Sequence, residues 1–199
     1  MRLNQSCLAL MATLCSLCIS PCNAQTSDVA GLSPIQVKDP FNGTWYVIAH
    51  VPHYLEHGQV ATKFTYTKID SDAIEVCYLH RAWFTEPEKE LCTRAHISYT
   101  EDSPKLNGHW HHVIPFYQQF VVSDPKGQWI VLDNSKHNIL WILARNPDMD
   151  SQLYWQLIEK LRTSYGLFTD KLQRVCQLPT QVNQLGFEVL QTQTSSINK

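Results

Sequence analysis

The sequence predicts an all-β protein: an eight-stranded antiparallel up-and-down β-barrel with one C-terminal α-helix packed on the outside. The first observation is a succession of short runs rich in β-branched and aromatic residues with alternating polar residues, as in residues 63–69. The second is a single amphipathic pattern late in the chain, over residues 150–165. The early runs are separated by turn-forming residues and not by helical patterns. Strands in such close succession indicate an antiparallel sandwich or barrel, and together with one late helix they favour the barrel, whose closure removes the free edges of the sheet.

The first 24 residues have the properties of a cleaved secretory signal peptide. Arg2 supplies the positive charge, the apolar stretch 8–19 is too short to span a bilayer, and small residues precede a cut after Ala24. These features predict a protein that is secreted or periplasmic. The less favoured alternative is an outer-membrane lipoprotein anchored through Cys22, because the proline before this cysteine fits a lipoprotein signal poorly.

The rest of the chain is expected to form one domain between two extended segments. Residues 25–39 form a polar extended leader, residues 40–179 the domain, and residues 180–199 a flexible tail rich in Gln, Thr and Ser. The sequence contains 16 basic and 18 acidic residues without a basic stripe. Nucleic acid is therefore not an expected partner.

The strand and helix signals follow one another in a simple order. The predicted strands are residues 45–50, 61–69, 73–84, 91–99, 106–113, 119–123, 129–133 and 139–145. In the helix, Asp148, Asp150 or Ser151 can cap the first turn, and Gly166 can end the last. A further strand-like run covers residues 171–178.

The inventory of side chains favours ligand binding over catalysis. Six Trp, eight Tyr and seven Phe residues could line a barrel interior that accepts an apolar ligand, since burial yields about 25 cal/mol per Å² of apolar surface. The chain has no Gly-x-Ser-x-Gly motif and no phosphate-binding loop, so no catalytic residues and no cofactor are predicted. His109 and His111 would share one face of a strand, but two ligands make only a partial zinc site. We interpret them as part of a polar strand face and predict no metal.

The sequence allows alternatives for two covalent features, a disulfide and a glycan. Of the seven cysteines, Cys77, Cys92 and Cys176 remain after the signal, which allows one disulfide in an oxidising compartment with three alternative pairings. Asn42 begins an Asn-Gly-Thr sequence that fits the N-glycosylation pattern. Its position beside the first strand favours the alternative, an unmodified residue.

Three short segments resemble motifs of the lipocalin family. Residues 43–46, "GTWY", resemble the G-x-W signature of the first strand, residues 141–145, "WILAR", resemble a late-strand motif ending in arginine, and residues 131–134 resemble a less specific segment between them. The stretches "GTWYVIAHVPHYLEHG", "PFYQQFVV" and "LWILARNP" are most similar to the bacterial lipocalins of the outer-membrane lipoprotein type and to apolipoprotein D. The resemblance covers about residues 40–179.

The resemblance implies roles for several residues. Trp45 would lie at the closed base of the barrel, with Arg145 packed across its face as a structural pair. It also implies a disulfide between Cys92 and Cys176 that leaves Cys77 free, with Cys77–Cys176 as the rival pairing. Residues 114–117 would lie near the open mouth.

The resemblance further implies a protein that binds and transports or stores a small hydrophobic ligand, a fatty acid or lysophospholipid, at the cell envelope or outside the cell. Candidate ligand-binding residues are Phe64, Tyr66, Tyr78, Trp110, Phe116, Tyr117, Phe120 and Trp141. Peripheral membrane association, and either a monomer or a homodimer, are compatible with the sequence. The alternatives are a lipocalin-type enzyme acting on a lipid, prostaglandin or carotenoid, and a receptor-binding module that uses the mouth loops.

Overall fold

The chain folds into a closed antiparallel barrel with one α-helix outside it. The computed structural model describes residues 40–52, 56–100, 103–111, 113–134 and 139–190. The strands are β1 (Gly43–His50), β2 (Val60–Lys68), β3 (Ala73–Arg81), β4 (Lys89–Thr100), β5 (Ser103–Trp110), β6 (Ile114–Ser123), β7 (Trp129–Asp133) and β8 (Leu140–Ala144). They are followed by α1 (Ser151–Tyr165), the two-residue strand β9 (Gln173–Arg174) and a 3₁₀ helix (Pro179–Gln181).

Pairing between the first and last long strands closes the barrel. Each of the eight long strands pairs with its neighbours in sequence, and β1 pairs with both β2 and β8. Opposite β1, Trp45 faces Phe64 on β2, while Tyr46 faces Ala144 on β8. The short strand β9 extends the sheet by pairing with the end of β1. The predicted fold class is confirmed.

The helix covers one side of the barrel. Its residues Tyr154, Leu157 and Leu161 are buried against the outer face of β7, β8 and β1. Every residue of β7 and β8 is buried, because one face of each strand points into the barrel and the other lies under the helix. Asp150 is the cap among the three candidates: its side chain accepts a hydrogen bond from the backbone N–H of Leu153 at 2.9 Å.

The observed strand bounds differ most where hydrophobic pattern is a weak guide. β6 begins at Ile114 and not at residue 119, because Ile114 already pairs with Trp110 across the β5–β6 hairpin. The pattern missed this start because Pro115 and the Gln118–Gln119 pair interrupt the apolar run. β3 ends at Arg81, and the run 171–178 contributes only the two residues of β9.

The segment after the helix packs on the barrel more closely than the sequence suggests. The sequence predicts a loose tail from residue 180, yet Gln181, Glu188 and Leu190 are buried. Leu190 packs with Val60 and Cys176 in a small third cluster. The predicted signal 1–24, its cleavage after Ala24, the lipid anchor at Cys22, the leader 25–39 and residues 191–199 lie outside the described residues.

The predicted disulfide between Cys92 and Cys176 is wrong, as is its rival Cys77–Cys176. Cys77 is bonded to Cys92. These two residues are directly opposite each other in the β3–β4 ladder, with their Cα atoms 4.0 Å apart. Cys176 is a free, fully buried thiol next to Val60, and burial raises its pKa to about 11.

Within the described part of the chain, no helix has both the length and the apolar character needed to cross a membrane.

Candidate functional site

One end of the barrel is closed by the Trp45–Arg145 pair. The Trp45 ring is fully buried, and the guanidinium carbon of Arg145 lies 3.6 Å from its centroid. Arg145 also donates hydrogen bonds to the carbonyls of Thr44 at 2.7 Å and Asn42 at 2.8 Å. Gly43 has a φ of 68° and passes close to the guanidinium, where glycine tolerates the left-handed backbone. The structure thus shows the contact that the resemblance implies.

An aromatic layer lies beside this plug at the closed end, where Tyr66 pairs with Gly43 across the β1–β2 ladder. The ring of Phe41 is 5.3 Å from that of Tyr66 and 5.2 Å from that of Phe120. The Tyr66 hydroxyl donates to the side-chain oxygen of Gln118 at 2.8 Å, and burial raises the pKa of this phenol. Since these groups are buried and partnered, the layer forms a floor inside the barrel.

A cavity of about 970 Å³ lies above the floor, towards the open end. Aromatic side chains form much of its wall, and six of the eight predicted ligand-binding residues line it: Phe64, Tyr78, Trp110, Phe116, Tyr117 and Trp141. Ile114 and Pro115 also line it, at the end of the barrel where residues 114–117 are expected to lie. The volume is at the upper end of the range of small-molecule sites, about 300–1,000 Å³.

The other two predicted residues, Tyr66 and Phe120, belong to the floor and do not line the cavity. Phe64 and Tyr66 point to the same face of β2, as the alternation of the strand requires. Alternation fixes which residues face inwards, but only the closed barrel fixes how far each lies from the mouth. The ligand contacts themselves remain a prediction.

The cavity wall also contains a carboxylate that sequence reasoning missed. Glu56, between β1 and β2, is buried and lines the cavity. The indole N–H of Trp141 donates to both of its carboxylate oxygens, at 3.2 and 3.3 Å. Nothing in the local sequence marks Glu56, because a glutamate in a polar loop is ordinarily solvated.

Glu56 belongs to a buried charged group with His50 and Glu188. The two ring nitrogens of His50 lie 3.3 Å from Glu56 and 3.5 Å from Glu188. Burial alone would lower the pKa of His50, but the hydrogen bonds and charges of the two glutamates raise it to about 9. Burial would likewise raise the pKa of Glu188, yet His50 and the Gly58 N–H, at 2.9 Å, keep it below its usual value.

The two histidines and Asn42, which the sequence also singles out, do not form a site in the described residues. β5 ends at Trp110, and His111 has a φ of 50° in the following turn, so the strand alternation that placed His109 and His111 on one face stops before His111. In the described ranges, the potential metal-ligand cluster consists of Glu90 and two cysteines, both in the disulfide. Asn42 is exposed, and its glycosylation stays a prediction.

In the residues that the structure describes, a closed barrel with a plugged base, a cavity at the other end and one external helix has the architecture of a calyx. The chain belongs to the lipocalin-like domain family, whose model matches residues 38–177. The predicted family is therefore confirmed, whereas its particular nearness to bacterial lipocalins and apolipoprotein D stays a prediction.

Three solved structures with a similar fold come from a lobster, a moth and cockroaches. Lobster apocrustacyanin A1 is 12% identical, with a TM-score of 0.52 over 72% of this chain and 81% of that one. Insecticyanin from the tobacco hornworm Manduca sexta is 15% identical, with a TM-score of 0.50 over 69% and 78%. The cockroach allergen Per a 4 is 18% identical, with a TM-score of 0.50 over 73% and 92%. At these identities the likeness shows the fold alone. A search of the curated proteins finds no match.

Proposed function

We propose that this protein binds a small hydrophobic ligand in its barrel cavity and transports or stores it at the cell envelope or outside the cell. The observation that carries the proposal is the cavity of about 970 Å³ with an aromatic wall and a closed floor. A fatty acid or a lysophospholipid is the ligand class we favour, because each buried CH₂ group of an acyl chain contributes about 0.8 kcal/mol. Part of this gain is offset by the cost of ordering the chain.

An enzymatic role would need a reactive cysteine, and the chemistry of Cys77 and Cys176 instead favours binding without turnover. Cys77 is bonded to Cys92, so its sulfur is not a free thiolate nucleophile. Cys176 is a free thiol, but it is fully buried and burial raises its pKa to about 11. Neither sulfur supplies a reactive thiolate at neutral pH.

The disulfide supports export from the cytosol, because such bonds form and persist in oxidising compartments. We propose that the mature protein begins after Ala24 and is not anchored through Cys22. Intact-mass measurement of the exported protein tests this directly. A mass that includes acyl groups on Cys22 would instead support the lipoprotein alternative.

The binding proposal is tested by lipid extraction of the purified protein and by titration with a fluorescent long-chain fatty acid. Phe116→Ala removes a ring from the cavity wall, and Phe168→Ala removes an exposed ring elsewhere as the matched control. We expect Phe116→Ala to weaken binding about tenfold, since burying one such side chain contributes about 1.5–3 kcal/mol, and Phe168→Ala to leave it unchanged. The absence of both co-purified lipid and saturable binding would refute the proposal.

A further inference from the structure

The wall of the cavity places a carboxylate beside an aromatic ring. Glu56 lines the cavity together with Trp141, whose indole N–H holds both carboxylate oxygens. A carboxylate has about four acceptor positions, and the contacts from Trp141 and His50 occupy three of them. Glu56 therefore retains the capacity to accept from, or to pair with, a group inside the cavity.

Two further aromatic rings stand close to the same part of the wall. The ring of Phe64 is 5.2 Å from Tyr78 and 6.4 Å from Trp141, to which it is nearly perpendicular. All three rings line the cavity. The negative charge of Glu56 is felt at Tyr78, where burial first and then this charge raise the pKa of the phenol. A cavity wall that combines a carboxylate with several aromatic rings suits a cation, which is attracted to aromatic faces and to the negative charge.

The positive charge of His50 does not fully neutralise the negative charge of Glu56. His50 lies between Glu56 and Glu188 and is shared by both carboxylates. Glu188 also pairs with His57, whose Nδ1 lies 2.6 Å from its carboxylate, whereas the described residues show His50 alone as an ion-pair partner of Glu56. The side of Glu56 that faces the cavity is thus electrostatically attractive to a cationic ligand group.

We propose that Glu56, with the rings of Phe64, Tyr78 and Trp141, binds the ammonium group of an amphiphilic ligand whose hydrocarbon chain occupies the rest of the cavity. This inference rests on the proposed ligand-binding function and specifies the head group. It separates the two favoured ligands: a lysophospholipid with a choline head carries the required ammonium, whereas the carboxylate of a fatty acid would face the like charge of Glu56. Repulsion between these two negative charges reduces the affinity for a fatty acid and so gives selectivity for the ammonium ligand.

Ligands with one chain and different heads test the head-group preference in the native protein. Dodecyltrimethylammonium, dodecylphosphocholine, dodecanol and dodecanoate are compared at pH 7.5, below their micelle-forming concentrations, by displacement of the neutral probe N-phenyl-1-naphthylamine. We expect dodecyltrimethylammonium to bind about tenfold more tightly than dodecanoate, with dodecanol between them. If dodecylphosphocholine binds as tightly as dodecyltrimethylammonium, the natural ligand is a phospholipid. If it binds more weakly, the natural ligand is a simple amine. Both results support the inference.

Glu56→Gln keeps the shape of the side chain and removes its charge, and Glu75→Gln makes the same change on the exposed outer face of β3. We expect Glu56→Gln to abolish the preference for ammonium over carboxylate and Glu75→Gln to retain it. Equal affinity of all four ligands for the wild-type protein would overturn the inference and leave the proposed function intact. Failure of every ligand to displace the probe would overturn both. The wild-type comparison decides the matter even if Glu56→Gln does not fold.

Discussion

The buried position of His50 between two carboxylates predicts that the protein loses stability in mildly alkaline solution. The pKa of His50 is about 9 in the folded state and about 6.5 in an exposed histidine. The folded protein therefore binds this proton more tightly than the unfolded chain does. The resulting stabilisation is fully present below pH 6.5 and is lost as the pH rises through about 9.

The size of the effect follows from the shift itself. A rise of about 2.5 pKa units, at about 1.4 kcal/mol per unit, corresponds to about 3 kcal/mol of unfolding free energy lost between pH 6.5 and pH 9. Glu188 acts in the opposite range: its lowered pKa gives stability that is lost as the pH falls. The two effects therefore separate along the pH axis, with that of Glu188 on the acid side and that of His50 on the alkaline side.

Urea unfolding at pH values from 6 to 10 measures this loss in the wild-type protein and in His50→Gln. Burial also raises the pKa of the Cys176 thiol, which adds to the alkaline loss in both proteins and so cancels in their difference. His96→Gln, at an exposed histidine paired with Asp72, is the control and should preserve the wild-type pH dependence. A constant difference between wild type and His50→Gln over this whole range would show that His50 is not held as a cation.

Three further predictions concern the plug, the cavity wall and the disulfide. Arg145→Ala removes the contact with Trp45 and two hydrogen bonds, and we expect about 2–4 kcal/mol of lost unfolding free energy with little change in ligand affinity per folded molecule, measured by urea unfolding and titration. Gly108→Ala would place a Cβ 2.2 Å from the Phe116 ring, so we expect weaker probe binding in titrations and a stability loss of about 1–3 kcal/mol. Cys92→Ser opens a disulfide with a sequence separation of 15, and thermal unfolding should show a loss of about 3 kcal/mol.

Each of these three predictions would be contradicted by a specific result. A fully stable Arg145→Ala protein that cannot bind ligand would contradict the structural role of the plug. Unchanged probe binding by Gly108→Ala would show that the Phe116 ring does not shape the cavity. Unchanged thermal stability of Cys92→Ser would show that Cys92 is not part of a stabilising disulfide.

The sequence determined the fold because each feature that specifies it is local. Alternation along residues 63–69 identifies a strand with one buried face, and the spacing of Leu153, Leu157 and Leu161 identifies a helix with one buried side. The contact of Trp45 with Arg145 was anticipated through the resemblance to the lipocalin family, which the G-x-W motif and the late arginine carry. Alternation also separates the residues of each strand into two faces, but only the structure shows which face points into the barrel.

What required the tertiary structure depends on distances between residues far apart in the chain. The register of β3 against β4 decides that Cys77 meets Cys92, and depth in the closed barrel decides that Phe64 lines the cavity while Tyr66 lies in its floor. The same is true of Glu56, whose partners His50 and Trp141 come from β1 and β8. The hydrophobic pattern of a strand or helix indicates which of its sides is buried, because the pattern lies within that one element. Charge pairing and cavity shape arise only when several elements pack together.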